Sequence, residues 1–390
     1  MSSLTKQERA DSKLFKPITL GSVHLDHRIV MAPLTRFRSP NAVPTPLVAE
    51  YYSQRTTKGG LIISEATFIS TTAGMYPNAP GIYTQEQIDA WKIITDAVHK
   101  KGGKIFCQLW QVGRASNSVL LGQKAYSSSA IAISGINNLT GKPQEVPKEM
   151  THQDIKQVTS EYVQAAKNSL LAGFDGVEIH NANGYLLDQF LQDNINQRTD
   201  EYGGSIQNRA RFTLEVVDAV VAAIGADKVG IRFSPFGFFQ DAKDSDPVSH
   251  FEYVCEMIEP KQLAYVHILE PRSDLVVSNE DEKMNILKEA AQKRGVTDLL
   301  KIQDEISLKP FKRVLKNTPL LSAGSYNLNN PFEPVEKGDV DGVVYGRYFI
   351  SNPDLVKRIR EGIELTKYDR STFYTSGEVG YTTWPEHSDM

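Results

Sequence analysis

The chain has 390 residues, 40% of them hydrophobic and 23% charged, with a formal net charge of −4. That length can bury a sizeable core, the balance is that of a soluble globular protein, and a mildly acidic chain carries no footprint of nucleic-acid binding. No apolar run approaches the ~20 residues of a membrane span. The opening residues, Met1-Ser2-Ser3-Leu4-Thr5-Lys6, lack the apolar core of a secretory signal, and the two cysteines, Cys107 and Cys255, fit a reducing compartment. A cytoplasmic protein is expected.

In chain order, residues 18–25 (ITLGSVHL) alternate around Gly21-Ser22 and predict a small hairpin. Eight short apolar runs follow: 27–33 (HRIVMAP), 61–67 (LIISEAT), 104–110 (KIFCQLW), 176–180 (GVEIH), 229–235 (VGIRFSP), 264–271 (AYVHILEP), 319–324 (PLLSAG) and 342–347 (GVVYGR). Helical patterns lie between them. Residues 89–100 space Ala90, Ile93, Ile94, Ala97 and Val98 on one face, 152–172 do so with Ile155, Val158, Tyr162, Ala165, Ala166, Ser169 and Leu170, and 209–224 with Phe212, Val216, Ala219, Val220 and Ala223. Gly173 and Gly225 follow two of these helices, where a left-handed cap residue belongs. Eight strands alternating with helices imply parallel strands and crossovers. The count predicts an α/β fold, a closed (β/α)8 TIM barrel forming one domain over 1–390, with the hairpin closing its bottom.

Two stretches are too long for simple loops. Residues 111–151, rich in Ser, Asn, Gly and Pro, are expected to cover the mouth at the C-terminal face; residues 272–316 carry a charged helical pattern over 282–294. A doubly wound open sheet would want a glycine-rich phosphate turn after its first strand. Pro33-Leu34-Thr35-Arg36 stands there instead.

Such barrels gather their chemistry at the C-terminal ends of the strands. Those ends carry Thr35, Ala66, Gln108 with Trp110, His180 with Asn183, Arg232, Gly324 with Ser325, and Gly346 with Arg347. No carboxylate pair sits at glycosidase-like positions, and no His/Asp/Glu set suggests a metal. Gly324 and Gly346, after strands seven and eight, would let backbone N–H groups approach phosphate oxygens, and Arg347 adds charge. A ring of donors plus a phosphate turn suits flavin mononucleotide. The run His180-Asn181-Ala182-Asn183-Gly184-Tyr185 clusters two neutral donors and a phenol just beyond a strand end. That set can hold a carbonyl oxygen and supply a proton, as reduction of a conjugated carbon–carbon double bond requires.

Each residue also has an ordinary reading. His180 alone would be a core histidine, Trp110 and Phe239 could be packing, and Tyr374 sits in a late segment of mobile-looking composition. Arg232 follows an apolar strand, where an unpaired cation is costly, which favours a ligand contact. Cys107 alternates against Gln108 and Trp110 and should face the helices as inert core. His267 on the sixth strand is left without a role.

The chain resembles the old yellow enzyme family of flavin-dependent ene-reductases, as a fungal-type member, over about 14–381. The landmarks are Met31-Ala32-Pro33-Leu34-Thr35-Arg36, Cys107-Gln108-Leu109-Trp110, Gly173-Phe174-Asp175-Gly176-Val177-Glu178-Ile179-His180, Gln197-Arg198-Thr199-Asp200-Glu201-Tyr202-Gly203-Gly204, Tyr345-Gly346-Arg347-Tyr348-Phe349 and Tyr368-Asp369-Arg370-Ser371-Thr372-Phe373-Tyr374. The resemblance implies an NADPH dehydrogenase with non-covalent FMN, reduced by NADPH or NADH. It implies that hydride passes from flavin N5 to the activated C=C bond of α,β-unsaturated aldehydes, ketones and other electrophilic alkenes. FMN contacts are implied for Pro33, Leu34, Thr35 (to flavin O4), Ala66, Gln108, Arg232, Gly324, Ser325, Gly346 and Arg347. His180 and Asn183 resemble the pair that binds the substrate carbonyl, Tyr185 the proton donor, and Trp110, Phe239 and Tyr374 the pocket lining. A monomer or homodimer is implied. Ala66 replaces a glycine common in the family, and Ser325 a frequent asparagine. Two rival readings remain open: a biosynthetic member of the ergot-pathway type acting on an alkaloid aldehyde, and a flavin-binding redox sensor without turnover.

Overall fold

The computed structural model describes residues 4–137, 140–271 and 280–387. Each of the eight β-branched and leucine-rich runs forms a strand: β1 Ile29–Met31, β2 Leu61–Ile63, β3 Lys104–Trp110, β4 Gly176–Asn181, β5 Val229–Phe233, β6 Tyr265–Leu269, β7 Leu320–Ala323 and β8 Gly342–Tyr345. Successive strands pair in parallel, and β8 pairs with β1 through Val343↔Ile29, which closes the ring. The expected (β/α)8 barrel is present.

Because strand side chains alternate, each strand sends one set outward and one inward. The outward set packs on helices such as Gln85–Lys100, His152–Leu171 and Ile206–Ile224. Cys107 is among it, buried and close to Ser169 of the second of these helices. The inward set divides into two storeys. In the lower one, Val30, Leu61, Ile63, Phe106, Tyr265 and Leu321 join Leu20, Val23 and Leu25 in one apolar cluster. The last three come from the hairpin Ile18–Leu20/Val23–Leu25, and its Ser22 N–H bonds the Asp227 carbonyl at 2.9 Å, just before β5. The hairpin therefore caps the bottom, as its alternation predicts.

Two glycines make the lower storey possible. A Cβ on Gly176 would lie 2.5 Å from the Phe106 ring, and one on Gly230 2.4 Å from the Tyr265 ring. Both positions face inward, and their missing side chains are the space those rings occupy, with centroids 5.6 Å apart.

Some local expectations change. The run 61–67 is not one strand: β2 stops at Ile63, and Thr67–Phe68 pairs separately with the end of β3. Between them the Glu65 N–H bonds the Tyr52 hydroxyl at 2.7 Å, and the Gln108 N–H bonds Ser64 Oγ at 3.1 Å, so side chains replace the ladder. Gly225 has positive φ but extended ψ (91°, 141°), so it ends its helix without the left-handed turn. The charged pattern at 282–294 forms the helix Glu280–Lys293, and Arg294 beyond it ion-pairs with Asp246 and, at 3.4 Å, Glu305. The start of that long stretch, 272–279, lies outside the described residues. The 111–151 stretch lies over the C-terminal face but, among the described residues, supplies none to the cavity wall. It packs instead on the helix Leu186–Leu191, with Ser128 Oγ donating to the Gln189 carbonyl at 2.8 Å.

Burial pushes the Cys107 thiol up to about 11, and raises Cys255 as well. A thiol at that value is about 0.1% thiolate at pH 8 and has no solvent access. Native protein at pH 8 is expected to react with neither mole equivalent of a disulfide reagent, and both cysteines to react after denaturation. Rapid labelling of native protein would show that the helix layer over β3 opens.

Candidate active site

The inward upper storey is polar. Gln108, Glu178, Arg232 and His267 sit on β3 to β6, one strand position above the aromatic storey. Gln108 Nε2 donates to Glu178 Oε1 at 2.7 Å, and His267 Nδ1 lies 2.9 Å from Glu178 Oε2. A carboxylate only accepts, so it fixes the Gln108 amide with its NH2 toward Glu178 and leaves Oε1 for a ligand. Burial lowers the His267 pKa, which Glu178 partly offsets, so the ring is neutral and donates from Nδ1. Burial also lowers the Arg232 pKa, and the facing Glu178 opposes this.

Above this storey lies a cavity of about 580 Å³. Every site residue read from the sequence lines it. Pro33, Leu34 and Thr35 come from the segment after β1, Ala66 from the break in the second run, and Gln108 and Trp110 from β3. His180, Asn183 and Tyr185 follow from β4, Arg232 from β5, Phe239 from the loop beyond it, and Tyr374 from the C-terminal segment. Gly324 with Ser325 and Gly346 with Arg347 enter after β7 and β8. Among the described residues the wall includes four arginines, Arg36, Arg232, Arg347 and Arg370, and no carboxylate. Buried polar atoms are left without protein partners at its edge: Trp110 Nε1, His180 Nδ1 and Arg232 Nε. A phosphorylated ligand with a flat, acceptor-rich ring answers both features, so the residues present fit FMN.

The turn after β4 is fixed by its backbone. Asn183 (φ 60°) and Gly184 (φ 71°) are both left-handed. The Asn183 N–H bonds Ser234 Oγ at 2.7 Å and the Gly184 N–H bonds Asp188 Oδ2 at 2.7 Å. Tyr185 then stands edge-on to both Trp110 and His180, with ring centroids 5.0 Å apart in each pair. Burial drives the His180 pKa well below its usual value, helped by Arg232, so the imidazole is neutral. Burial raises the Tyr185 phenol above its ordinary value, so it keeps its proton. Asp188, also buried, is pushed up to about 7.

The segment holding Tyr374 is pinned rather than mobile. Arg36 Nε bonds the Phe373 carbonyl at 3.0 Å and Arg36 Nη2 the Gly380 carbonyl at 3.0 Å. Arg38 bonds the Gly377 carbonyl at 2.9 Å and Thr375 Oγ1 at 3.0 Å, with its guanidinium 4.4 Å from the Tyr381 ring centre. Tyr374 itself stays 66% exposed, packed on Phe37. Sequence reading missed Glu178, Asp188, Ser234, Arg36 and Arg38. Glu178 alone carried a signal, since it is two residues before His180 on a strand and shares its face.

Gly184→Ala would add strain at a left-handed φ and place a Cβ 2.7 Å from the Phe239 carbonyl oxygen. It is expected to lower the unfolding free energy by about 2 kcal/mol, read as a lower urea midpoint at unchanged slope. An unmoved midpoint would mean that the turn adapts without cost.

Comparison with known proteins agrees with this geometry. The family model described as NADH:flavin oxidoreductase / NADH oxidase matches residues 13–366. The flavin oxidoreductase hxnT of Emericella nidulans is 48% identical over 388 residues, covering 95% of this chain and 97% of that one. The 12-oxophytodienoate reductase 7 of Oryza sativa subsp. japonica is 44% identical, covering 97% and 96%. Among solved structures, morphinone reductase superposes with a TM-score of 0.85 at 38% identity, covering 97% of each chain. The old yellow enzyme homologue of Zymomonas mobilis gives 0.84 at 38%, covering 95% and 99%. The chain thus belongs to the NADH:flavin oxidoreductase / NADH oxidase family, as an old yellow enzyme that uses FMN and NAD(P)H to reduce activated alkenes.

Proposed function

We propose that the enzyme reduces the C=C bond of α,β-unsaturated aldehydes and ketones with His180 and Asn183 as carbonyl ligands and Tyr185 as the proton donor. The observation that carries this reading is the turn after β4, whose bonds to Ser234 and Asp188 hold all three side chains on one wall of a cavity with no carboxylate among its described lining residues. Two structural or sequence neighbours are named for carbonyl compounds that they reduce, an oxophytodienoate and a morphinone. Substrates of that kind suit this cavity too.

The chemistry that bound FMN would supply is relay of hydride from NAD(P)H to the electron-poor alkene carbon. Thr35, Gln108 and Arg232 would hold its ring, with Pro33, Leu34 and Ala66 packed beside them, and Gly324, Ser325, Gly346 and Arg347 would hold its phosphate. On the substrate, negative charge gathers on the carbonyl oxygen as the β-carbon is attacked. Asn183 offers its amide N–H2 there. His180 is a neutral imidazole on the same wall, and its ring N–H would be the second donor to that oxygen. One well-placed donor in such a site contributes roughly 3 kcal/mol. Tyr185, neutral because it is buried, delivers a proton to the α-carbon. Trp110, Phe239 and Tyr374 form the walls that confine the substrate and exclude water. One domain, a monomer or homodimer, in the cytoplasm completes the reading; no described helix is long and apolar enough to cross a membrane.

Tyr185→Phe separates the two halves of the reaction. Reduction by NADPH needs no proton from the phenol and is expected to stay near the parent rate. Reoxidation by 2-cyclohexenone is expected to slow by about 10²–10⁴-fold, the usual worth of a general acid. Stopped-flow traces at the flavin absorbance report both, and reoxidation at the parent rate would assign the proton to water or another group.

Thr35→Ala removes a hydroxyl donor beside the FMN ring. That donor would favour the electron-rich reduced ring, so the variant's midpoint potential is expected to fall while FMN stays bound. A raised or unchanged potential in a redox titration would take Thr35 off the ring.

A further inference from the structure

Glu178 is fully buried in the barrel interior, on the strand that also carries His180. A carboxylate there bears a desolvation cost that an apolar residue of the same size would avoid. Its neighbours are not those of a structural ion pair. One oxygen holds the amide of Gln108, the other the imidazole of His267, and both partners are uncharged donors. Its own strand and the next place it beside Gly230, with Arg232 one inward position higher on β5. Its field acts on the Arg232 guanidinium, whose Nε has no protein partner. Below lies the storey of Phe106 and Tyr265, whose polar group near Glu178 is the buried Tyr265 hydroxyl, kept protonated by burial and by Glu178.

We propose that Glu178 is a positioning residue for the flavin: it orients the Gln108 amide and, by offsetting the charge of Arg232, sets the reduction potential of FMN at a lower value than the cation alone would give. The inference rests on the reading that FMN lies against Gln108 and Arg232. With His267 neutral, the cluster is one cation and one anion, so its net charge is near zero. Removing the anion exposes the ring to an unopposed arginine. A cation beside the ring favours the electron-rich reduced form, so the potential rises when Glu178 loses its charge.

The test is a redox titration of FMN-loaded protein carrying Glu178→Gln, Glu178→Asp and, separately, Arg232→Met. Glu178→Gln is expected to shift the reduced-to-oxidised equilibrium toward the reduced form by about tenfold, about 30 mV upward for a two-electron couple. Glu178→Met carries the same expectation, so the test survives if one variant does not fold. Glu178→Asp keeps the charge and alters the packing; its potential is expected to stay within about threefold of the parent, whereas a merely structural residue would move the Asp and Gln variants alike. Arg232→Met is expected to lower the potential. If it does so while Glu178→Gln leaves the potential unchanged or lower, the role of Glu178 is overturned and the flavin placement stands. If neither variant moves the potential, the placement against Arg232 falls and the proposal with it.

Discussion

Filling the middle of the barrel is the constraint on which the site depends. Eight strands enclose an interior that side chains must occupy, and here Phe106 and Tyr265 fill it from two strands while Gly176 and Gly230 stand aside on two others. The rings form a dry floor. Above such a floor polar groups have no water beneath them, so each must find a partner within the storey or in a ligand. Glu178 bonds Gln108 and His267 from within, and Arg232 Nε, His180 Nδ1 and Trp110 Nε1, which it does not reach, belong to residues that border the cavity.

The same economy governs the walls. Asn183 and Gly184 are held in left-handed conformations by Ser234 just beyond the next strand and Asp188 in the first turn of the following helix. Neither supporting residue touches the cavity, yet they decide where His180, Asn183 and Tyr185 stand. On the opposite side, Arg36 and Arg38 leave the β1 segment next to Thr35 and bind carbonyls of the C-terminal segment that bears Tyr374. Glu65, pushed up to about 7 by burial, accepts the Arg36 N–H at 3.1 Å and links this clamp to the break after β2. The wall after β1 and the wall formed by the C-terminal segment are thereby parts of one hydrogen-bonded frame.

Electrostatics separates the jobs. The cavity wall offers cations and neutral donors, while the carboxylates that support it, Glu65, Glu178 and Asp188, lie behind the lining. Burial keeps His180 unprotonated and Tyr185 protonated, so a neutral imidazole and a neutral phenol line the cavity. Both are donors without net charge, suited to an oxygen that becomes negative only as the reaction proceeds.

The local code carried much of this. Eight short apolar runs, with helical spacing between them, specified strands, helices and a barrel, because each pattern reports what is buried. Donors and glycines at strand ends marked residues that line one cavity, since parallel barrels bring those ends to one face whatever their separation in the chain. What alternation could not state is which inward residues meet. Glu178 reads locally as one more strand position; only closure of the ring sets it against Gln108, two residues above the Phe106 floor, and against His267 on β6. The interruption at 64–66 was hidden for the same reason, because its substitute bonds come from Tyr52 and Gln108, both distant in sequence. Arg36, Arg38 and the segment around Tyr374 lie more than three hundred residues apart, and no periodicity links them. Sequence determined the elements and the chemistry at their ends; the tertiary structure decided the partners, because a buried polar atom is satisfied by whatever the fold brings within hydrogen-bond reach.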